Sequence, residues 1–244
     1  MKILVTGAKG FVGKNLVAQL KNIRDGKAKC YGDIAIEDIY EYDIDSTSEQ
    51  LDCYCRDCDF VFNFAGVNRP KTQEEFMQGN FGFASELLEC LKKHDNKCPV
   101  MISSSVQATL AGRFGNSEYG RSKKAGEELM FQYGKETGAK VLVYRFPNLY
   151  GKWCKPNYNS AVATFCYNIA NDLPIQVNDP NVDMELLYID DGSVDRTVEE
   201  VRKLRDRDER VHLVSFSRNF GKEAAMFAGM EHSRGDYVVI MDVD

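Results

Sequence analysis

An α/β protein built on a parallel sheet is what this sequence predicts, and three observations carry the prediction. Short runs rich in Val, Ile and Phe alternate with helical patterns along the 244 residues. The first run, "KILVTG", is apolar, brief and stopped by a glycine, as a buried strand is when it hands over to a helix. The composition, 43% hydrophobic and 28% charged, suffices for a sizeable core and is unlike that of a disordered chain.

The elements follow in order. Behind the first strand, Val12, Leu16, Val17 and Leu20 recur at helical spacing. "EDIYEYD" and "DCDFVFNFAG" read as the next strands, then "CPVMISSS" and "AKVLVYRFPN", with a helix from about Glu118 to Tyr133 between the last two. A polar stretch, "YGKWCKPNYNS", leads to a helix carrying Val162, Phe165, Cys166 and Ile169. The pattern restarts after Pro180. "ELLYID", "RVHLVSFS" and "DYVVIMD" read as strands, separated by the helices "VEEVRKLRDRD" and "GKEAAMFAGMEHS". In the first of these helices Val198, Val201 and Leu204 share a face, and the charges of "RKLRDRDER" form a solvated one.

Charge and segment composition exclude several function classes. The net charge of −6 argues against nucleic acid as a partner, because phosphate binding favours a basic patch. No run is apolar and long enough to span a membrane, and the N-terminus is a strand with a glycine loop rather than a signal peptide. Eight irregularly spaced cysteines in such a chain favour reduced thiols and a cytoplasmic setting. "CYCRDC", with Cys53, Cys55 and Cys58, reads as a polar turn before a strand and lacks a clear fourth metal ligand. His94, His212 and His232 lie in separate segments without ligand spacing.

"TGAKGFVG" places Gly7, Gly10 and Gly13 after a strand and at a helix start. A dinucleotide site in a Rossmann-like, doubly wound sheet needs this layout. The first glycine makes the tight turn, the second admits the pyrophosphate, and the third lets the helix pack. Asp43, at the end of the second strand, is the candidate acid for the adenosine ribose and favours NAD. Lys9, inside the loop, would instead attract the 2′-phosphate of NADP, so the choice of cofactor stays open.

"YGRSK" puts Tyr119 and Lys123 four residues apart on one helix face, and "SSS" ends the preceding strand at Ser105. A serine hydroxyl, a phenol and an ammonium converging near a nicotinamide suit carbonyl reduction. A phenol titrates near 10, and a neighbouring cation favours its phenolate. Tyr119 would then donate the proton, Ser105 would hold the carbonyl oxygen, and Lys123 would also bind the nicotinamide ribose.

With "FNFAGVNRP", "SSSVQA", "RFPNLYGKWCKPNYNS" and "LPIQVNDPNV", these segments resemble the extended short-chain dehydrogenase/reductase family. Within it they are most similar to the reductase domain of CapF-type capsular polysaccharide synthesis enzymes, over residues 1 to about 190. That resemblance implies NADPH-dependent reduction of the 4-keto group of a UDP-linked 4-keto-6-deoxy amino sugar, towards UDP-N-acetyl-L-fucosamine. It implies that Ser105, Tyr119 and Lys123 carry the reaction and that Ala65 and Gly66 line the cofactor. Asn148 would meet the diphosphate, with Lys155, Asn157 and Asn159 near the substrate. Two departures stand out: Ile44 follows Asp43 where NADPH-using relatives often carry a basic residue, and the remaining reductase segment and metal-binding cupin domain do not follow.

From Glu185 onward, "LLYIDDGSVDRT", "VSFSRNFGKEAAMFAGM" and "GDYVVIMDVD" resemble an internal fragment of family 2 glycosyltransferases, especially those making polyprenyl-phosphate sugars. The resemblance implies that Asp191 binds uridine and that Asp242 and Asp244 hold Mg²⁺ or Mn²⁺. The expected organisation is therefore an NAD(P)-binding reductase domain with a partial substrate region over 1–184, and a truncated β-α-β-α-β unit over 185–244. Reduction of a UDP-sugar is the leading function. A non-catalytic dinucleotide-binding chimera and a glycosyltransferase fragment are the alternatives, and assembly as a homodimer is left open.

Overall fold

The computed structural model describes residues 1–28, 31–32, 34–67, 77–174 and 185–234. The chain divides into two compact units, Met1–Ile175 and Gln176–Asp244.

In the first unit five strands form one sheet: β1 (Lys2–Thr6), β2 (Asp38–Tyr42), β3 (Phe60–Asn63), β4 (Val100–Ser105) and β5 (Val141–Phe146). Their order is β2-β1-β3-β4-β5 and every pairing is parallel, as predicted. Helices α1 (Phe11–Arg24), α2 (Ser48–Asp57), α3 (Phe83–Lys93) and α4 (Glu118–Thr137) lie in the connections, and α5 (Ala161–Ala170) follows β5.

Strand alternation sends residues of β1 to two separate cores. Leu4 packs with Leu51, Val61, Leu87, Val100 and Met130, residues of α2, α3, α4 and the neighbouring strands. Ile3 and Val5 pack instead with Val17 and Leu20 of α1 and with Ile36. A sheet with both faces covered must be apolar on both, and this accounts for the unbroken "ILV" of β1. Each fully buried Leu or Val stabilises the unit by roughly 1.5–3 kcal/mol.

The structure corrects the local reading at "CYCRDC". Cys53 and Cys55 lie within α2, and Cys58 is its C-terminal cap rather than part of a polar turn. The helix begins at a reciprocal cap in which Thr47 accepts from the Gln50 amide and the Gln50 side chain accepts from the Thr47 amide. That "T-x-x-Q" signal is legible in the sequence. Helix α4 also runs one turn past Tyr133 and stops at Gly138, whose φ of +77° is left-handed and closes the helix.

The second unit contains β6 (Leu186–Asp190), α6 (Thr197–Arg205), β7 (Val211–Ser215) and α7 (Lys222–His232). The two strands pair in parallel, Leu186 opposite Val211 and Asp190 opposite Ser215. Val201, Val211 and Ala228 are buried in it, whereas Leu204 is exposed and lies off the packed stripe predicted for α6. The strand predicted at "DYVVIMD" falls outside the described residues, as do Asp242 and Asp244.

Candidate active site

Strand β1 hands over to α1 on the way to β2, whereas its other neighbour β3 leads on to α3 and β4, and these two connections cover opposite faces of the sheet. Such a switch point opens a crevice above the sheet. The glycine loop sits there. Gly7 has φ +65°, and a Cβ on it would stand 2.8 Å from both the Ala65 amide nitrogen and the Phe64 carbonyl carbon. A Cβ on Gly13 would come 2.1 Å from the Gly7 carbonyl oxygen, so only a bare backbone lets α1 approach the loop. Helix α1 starts at Gly10 without a side-chain cap. Its first amides are thus left for a ligand, and the helix dipole there favours an anion.

Asp43 stands just beyond β2 and ties that strand to the loop. One carboxylate oxygen accepts from the Lys9 amide (2.7 Å), and the other accepts from the Ile44 amide (2.8 Å). The Lys9 ammonium is engaged by Asp45, which the sequence did not single out. A lysine expected to attract a phosphate is therefore already paired with a carboxylate.

Ser105, Tyr119 and Lys123 come together at the end of β4 and the start of α4. The Ser105 hydroxyl accepts from the Gln107 amide (3.2 Å) and thereby caps a short 3-10 turn over Val106–Thr109. Helix α4 begins at Ser117, whose hydroxyl accepts from the Gly120 amide (2.9 Å) and donates to Gln107 (2.7 Å). The serine that ends the strand and the first turn of the helix are thus joined through Gln107.

Burial pushes the Tyr119 phenol above its ordinary value, and a hydrogen bond with Ser105 works against that rise. Burial also pulls the Lys123 ammonium down to about 8. Its Nζ donates to the Ser103 carbonyl (3.0 Å) and stands 5.7 Å from the centre of the Tyr119 ring. The lysine expected to hold the phenol down is turned toward the strand backbone, and the depressing influence on Tyr119 is Ser105 instead.

A Cβ on Gly66 would lie 2.5 Å from the Asn80 side-chain oxygen and 3.3 Å from Lys123 Nζ. The end of β3 and the Tyr–Lys helix therefore share one wall, which is the cradle a dinucleotide requires between pyrophosphate and acid–base groups.

Two supports of this wall were not visible in the sequence. Asn80 is buried; its oxygen accepts from the Val67 amide (3.1 Å), and its nitrogen donates to the Val67 carbonyl and to Ser122 (3.1 Å each). Glu127 of α4 is also buried and receives two hydrogen bonds from Arg145 of β5, at 2.8 and 2.6 Å. It takes a third from Ser104. Burial pushes its carboxyl upward, but Arg145 and Ser104 together hold it below its ordinary value. Both supports join residues far apart in sequence, so no local pattern announces them.

The residues implied for substrate lie on the chain that leaves β5. Asn148, Lys155, Asn157 and Asn159 are exposed between β5 and α5, and the Asn157 amide donates to Thr164 (2.8 Å). Within this stretch the Tyr150 hydroxyl is buried without a hydrogen-bond partner among the described residues. Leaving such a group unpaired costs about 1–3 kcal/mol. The same turn reaches α1, because Asn15 donates to the Lys152 carbonyl (2.8 Å).

In the second unit, Asp191 joins the end of β6 to the loop that precedes α7. Its two oxygens accept from the amides of Phe220 (2.7 Å) and Gly221 (2.9 Å), just before α7. Asp190 is buried and accepts from the Ser193 amide and the Ser215 hydroxyl. The carboxylate expected to meet uridine is engaged by backbone.

A family model described as NAD dependent epimerase/dehydratase matches residues 3–193, and one described as glycosyl transferase family 2 matches residues 145–244. The chain is 44% identical over 191 residues to the UDP-2-acetamido-2,6-beta-L-arabino-hexul-4-ose reductase of Pseudomonas aeruginosa. That match takes in 78% of this chain and 47% of the reductase, so the chain spans about half the length of that relative. The crystal structure of the capsular polysaccharide assembling protein CapF from Staphylococcus aureus superposes with a TM-score of 0.60 at 38% identity. It covers 88% of this chain and 52% of that one. A bactoprenol glucosyl transferase of Shigella phage SfX is 47% identical over 62 residues, 25% of this chain and 20% of that protein.

Proposed function

The chain belongs to the NAD dependent epimerase/dehydratase family, and from that premise we propose that residues 1–184 form an NAD(P)-binding reductase domain for the keto group of a UDP-linked 4-keto-6-deoxy amino sugar. Residues 185–244 are proposed as a family 2 glycosyltransferase-like fragment appended to it. The observation that carries the reading is the convergence of half-buried Tyr119 and buried Lys123 with Ser105, beside a backbone cradle at Gly66. The name of the Pseudomonas relative supports the substrate class, and that of the Staphylococcus structure supports a place in capsular polysaccharide assembly.

Gly7, Gly10, Gly13, Ala65 and Gly66 would hold the dinucleotide, which supplies a hydride to the keto carbon. The chain's own part is proton management. Tyr119 donates its phenolic proton to the carbonyl oxygen as negative charge develops there. Ser105 hydrogen-bonds that oxygen and the phenol, holding the two in line. Lys123, cationic below about 8 and turned toward the Ser103 carbonyl, offers donors to a ribose. Burial of the cluster strengthens each of these interactions relative to water.

Two carboxylates at the tip of β2, Asp43 and Asp45, favour NADH. A 2′-phosphate there would face both acids and a lysine already paired. The test is loss of NADH or NADPH absorbance when the purified chain meets a UDP-4-keto-6-deoxy sugar. The reading requires that loss in the parent and its near-abolition in Tyr119→Phe. Cofactor binding without turnover in the parent would favour the dinucleotide-binding chimera.

A further inference from the structure

Helices α2 and α3 bring together three metal-ligating side chains that the reductase chemistry leaves unused. Asp52 lies in α2, Cys90 in α3, and His94 caps α3. One ligand atom from each falls within 4.8 Å of the others. Cys90 and His94 are four residues apart and so share a helix face, opposite the face of α2 that carries Asp52. The His94 Nε2 atom stands 3.0 Å from Asp52 Oδ1, and Cys90 Sγ stands 3.9 Å from the same oxygen.

Those separations can be compared with what a tetrahedral zinc ion demands. Bonds of about 2.3 Å to sulfur and 2.0–2.2 Å to nitrogen and oxygen put ligand atoms about 3.3–3.6 Å apart. The observed pairs bracket that range, and small rotamer adjustments would meet it. These three side chains leave the fourth position of a tetrahedral ion to a water molecule. The ligand set is mixed thiolate, imidazole and carboxylate from two elements, which suits zinc better than magnesium or calcium.

We infer that Asp52, Cys90 and His94 form a zinc-binding site that links α2 to α3. Binding would deprotonate the Cys90 thiol, and its proton would pass to solvent as the sulfur–zinc bond forms. In the metal-free state Asp52 serves as a hydrogen-bond hub. It accepts from His94 and also from Lys93 (2.6 Å), whose ammonium is the groups' one competitor among the described ion pairs.

The test uses Co²⁺ as a spectroscopic probe on the full chain, reduced and stripped with a chelator. A thiolate-to-cobalt charge-transfer band should grow to saturation and be displaced by Zn²⁺. Cys90→Ser should remove the band that this site contributes. His94→Gln and Asp52→Asn should each weaken binding at least about tenfold, since even outer partners of a ligand are worth 10–100-fold. Lys93→Met should tighten it by removing the competing charge. Absence of the band in the parent would overturn the inference. So would a band unchanged by both Cys90→Ser and His94→Gln, which would place the metal on other cysteines. Because the readout is binding, none of these outcomes depends on the reductase being active.

Discussion

Replacing Lys123 by methionine should make the protein more stable and abolish the proposed reduction, and the size of the first effect follows from the site. The ammonium is buried and falls from 10.5 to about 8, with burial as the cause. At ~1.4 kcal/mol per tenfold, that fall corresponds to about 3 kcal/mol lost from the folded state. Methionine fills a similar volume without a charge. It forfeits the hydrogen bond to the Ser103 carbonyl, worth about 1 kcal/mol. The net gain is about 2 kcal/mol at neutral pH, or roughly 4–8 °C in melting temperature for a unit of this size. The pH dependence is the sharper signature. Between about 8 and 10.5 the unfolded lysine binds a proton that the folded one has released. Stability of the parent therefore rises with pH through that window relative to Lys123→Met. Below about 8 the penalty is fully present; above 10.5 it is gone and the parent, which keeps its bond to Ser103, is the more stable by about 1 kcal/mol. Thermal melts from pH 6.5 to 10.5, approximately spanning the window, measure this directly. A variant less stable than the parent at neutral pH, by a margin that does not change with pH, would refute the reasoning.

Other perturbations probe the supports of the site. Arg145→Met strands a buried carboxylate; because Arg145 is half exposed, the expected cost is about 2–3 kcal/mol rather than the 3–5 of a fully buried pair. Denaturant titration should show that Glu127→Gln added to Arg145→Met recovers part of it; no recovery would mean the stranded charge is not the cause. The cost should also shrink as pH falls through the depressed carboxyl range of the parent, where the pair's own contribution is lost. Gly13→Ala drives a Cβ against the Gly7 carbonyl, so it should cost at least ~1–3 kcal/mol in thermal melts and weaken dinucleotide binding in a fluorescence titration on Trp153. Asp43→Asn combined with Asp45→Asn removes the two acids beside Lys9 and should shift the ratio of NADPH to NADH affinity upward. An unchanged ratio would show that the tip of β2 does not read the ribose.

What could be read from the sequence was what short-range chemistry encodes. The strand runs of the sheet are apolar because both faces are covered, and the glycine loop is legible because φ of +65° at Gly7 admits few other residues. The one-turn spacing of Tyr119 and Lys123 needed only helical geometry. By contrast, "CYCRDC" reads as a turn because the polar residues of α2 mask a narrow buried stripe of Leu51 and Cys55. Asn80 became meaningful only once Val67 and Ser122 were seen on either side of it, 13 and 42 residues away. The orientation of Lys123 toward Ser103, and the engagement of Lys9 by Asp45, are likewise tertiary facts. The second unit shows the converse: Asp191 fits a family motif, yet in this fold its carboxylate is engaged by the backbone amides that precede α7.

The shared wall at Gly66 also limits how this domain could change over generations of mutation. A side chain there would collide with Asn80, and the next atoms in its path belong to Lys123. Drift in the loop that would cradle a cofactor is therefore transmitted to the ammonium beside the phenol. Selection for a looser or tighter cofactor grip would register as a change in turnover, even if no acid–base residue were altered. Libraries that vary residues 65–67 to retune affinity should therefore be scored on kcat as well as on Kd, because the two traits share the same few ångströms of backbone.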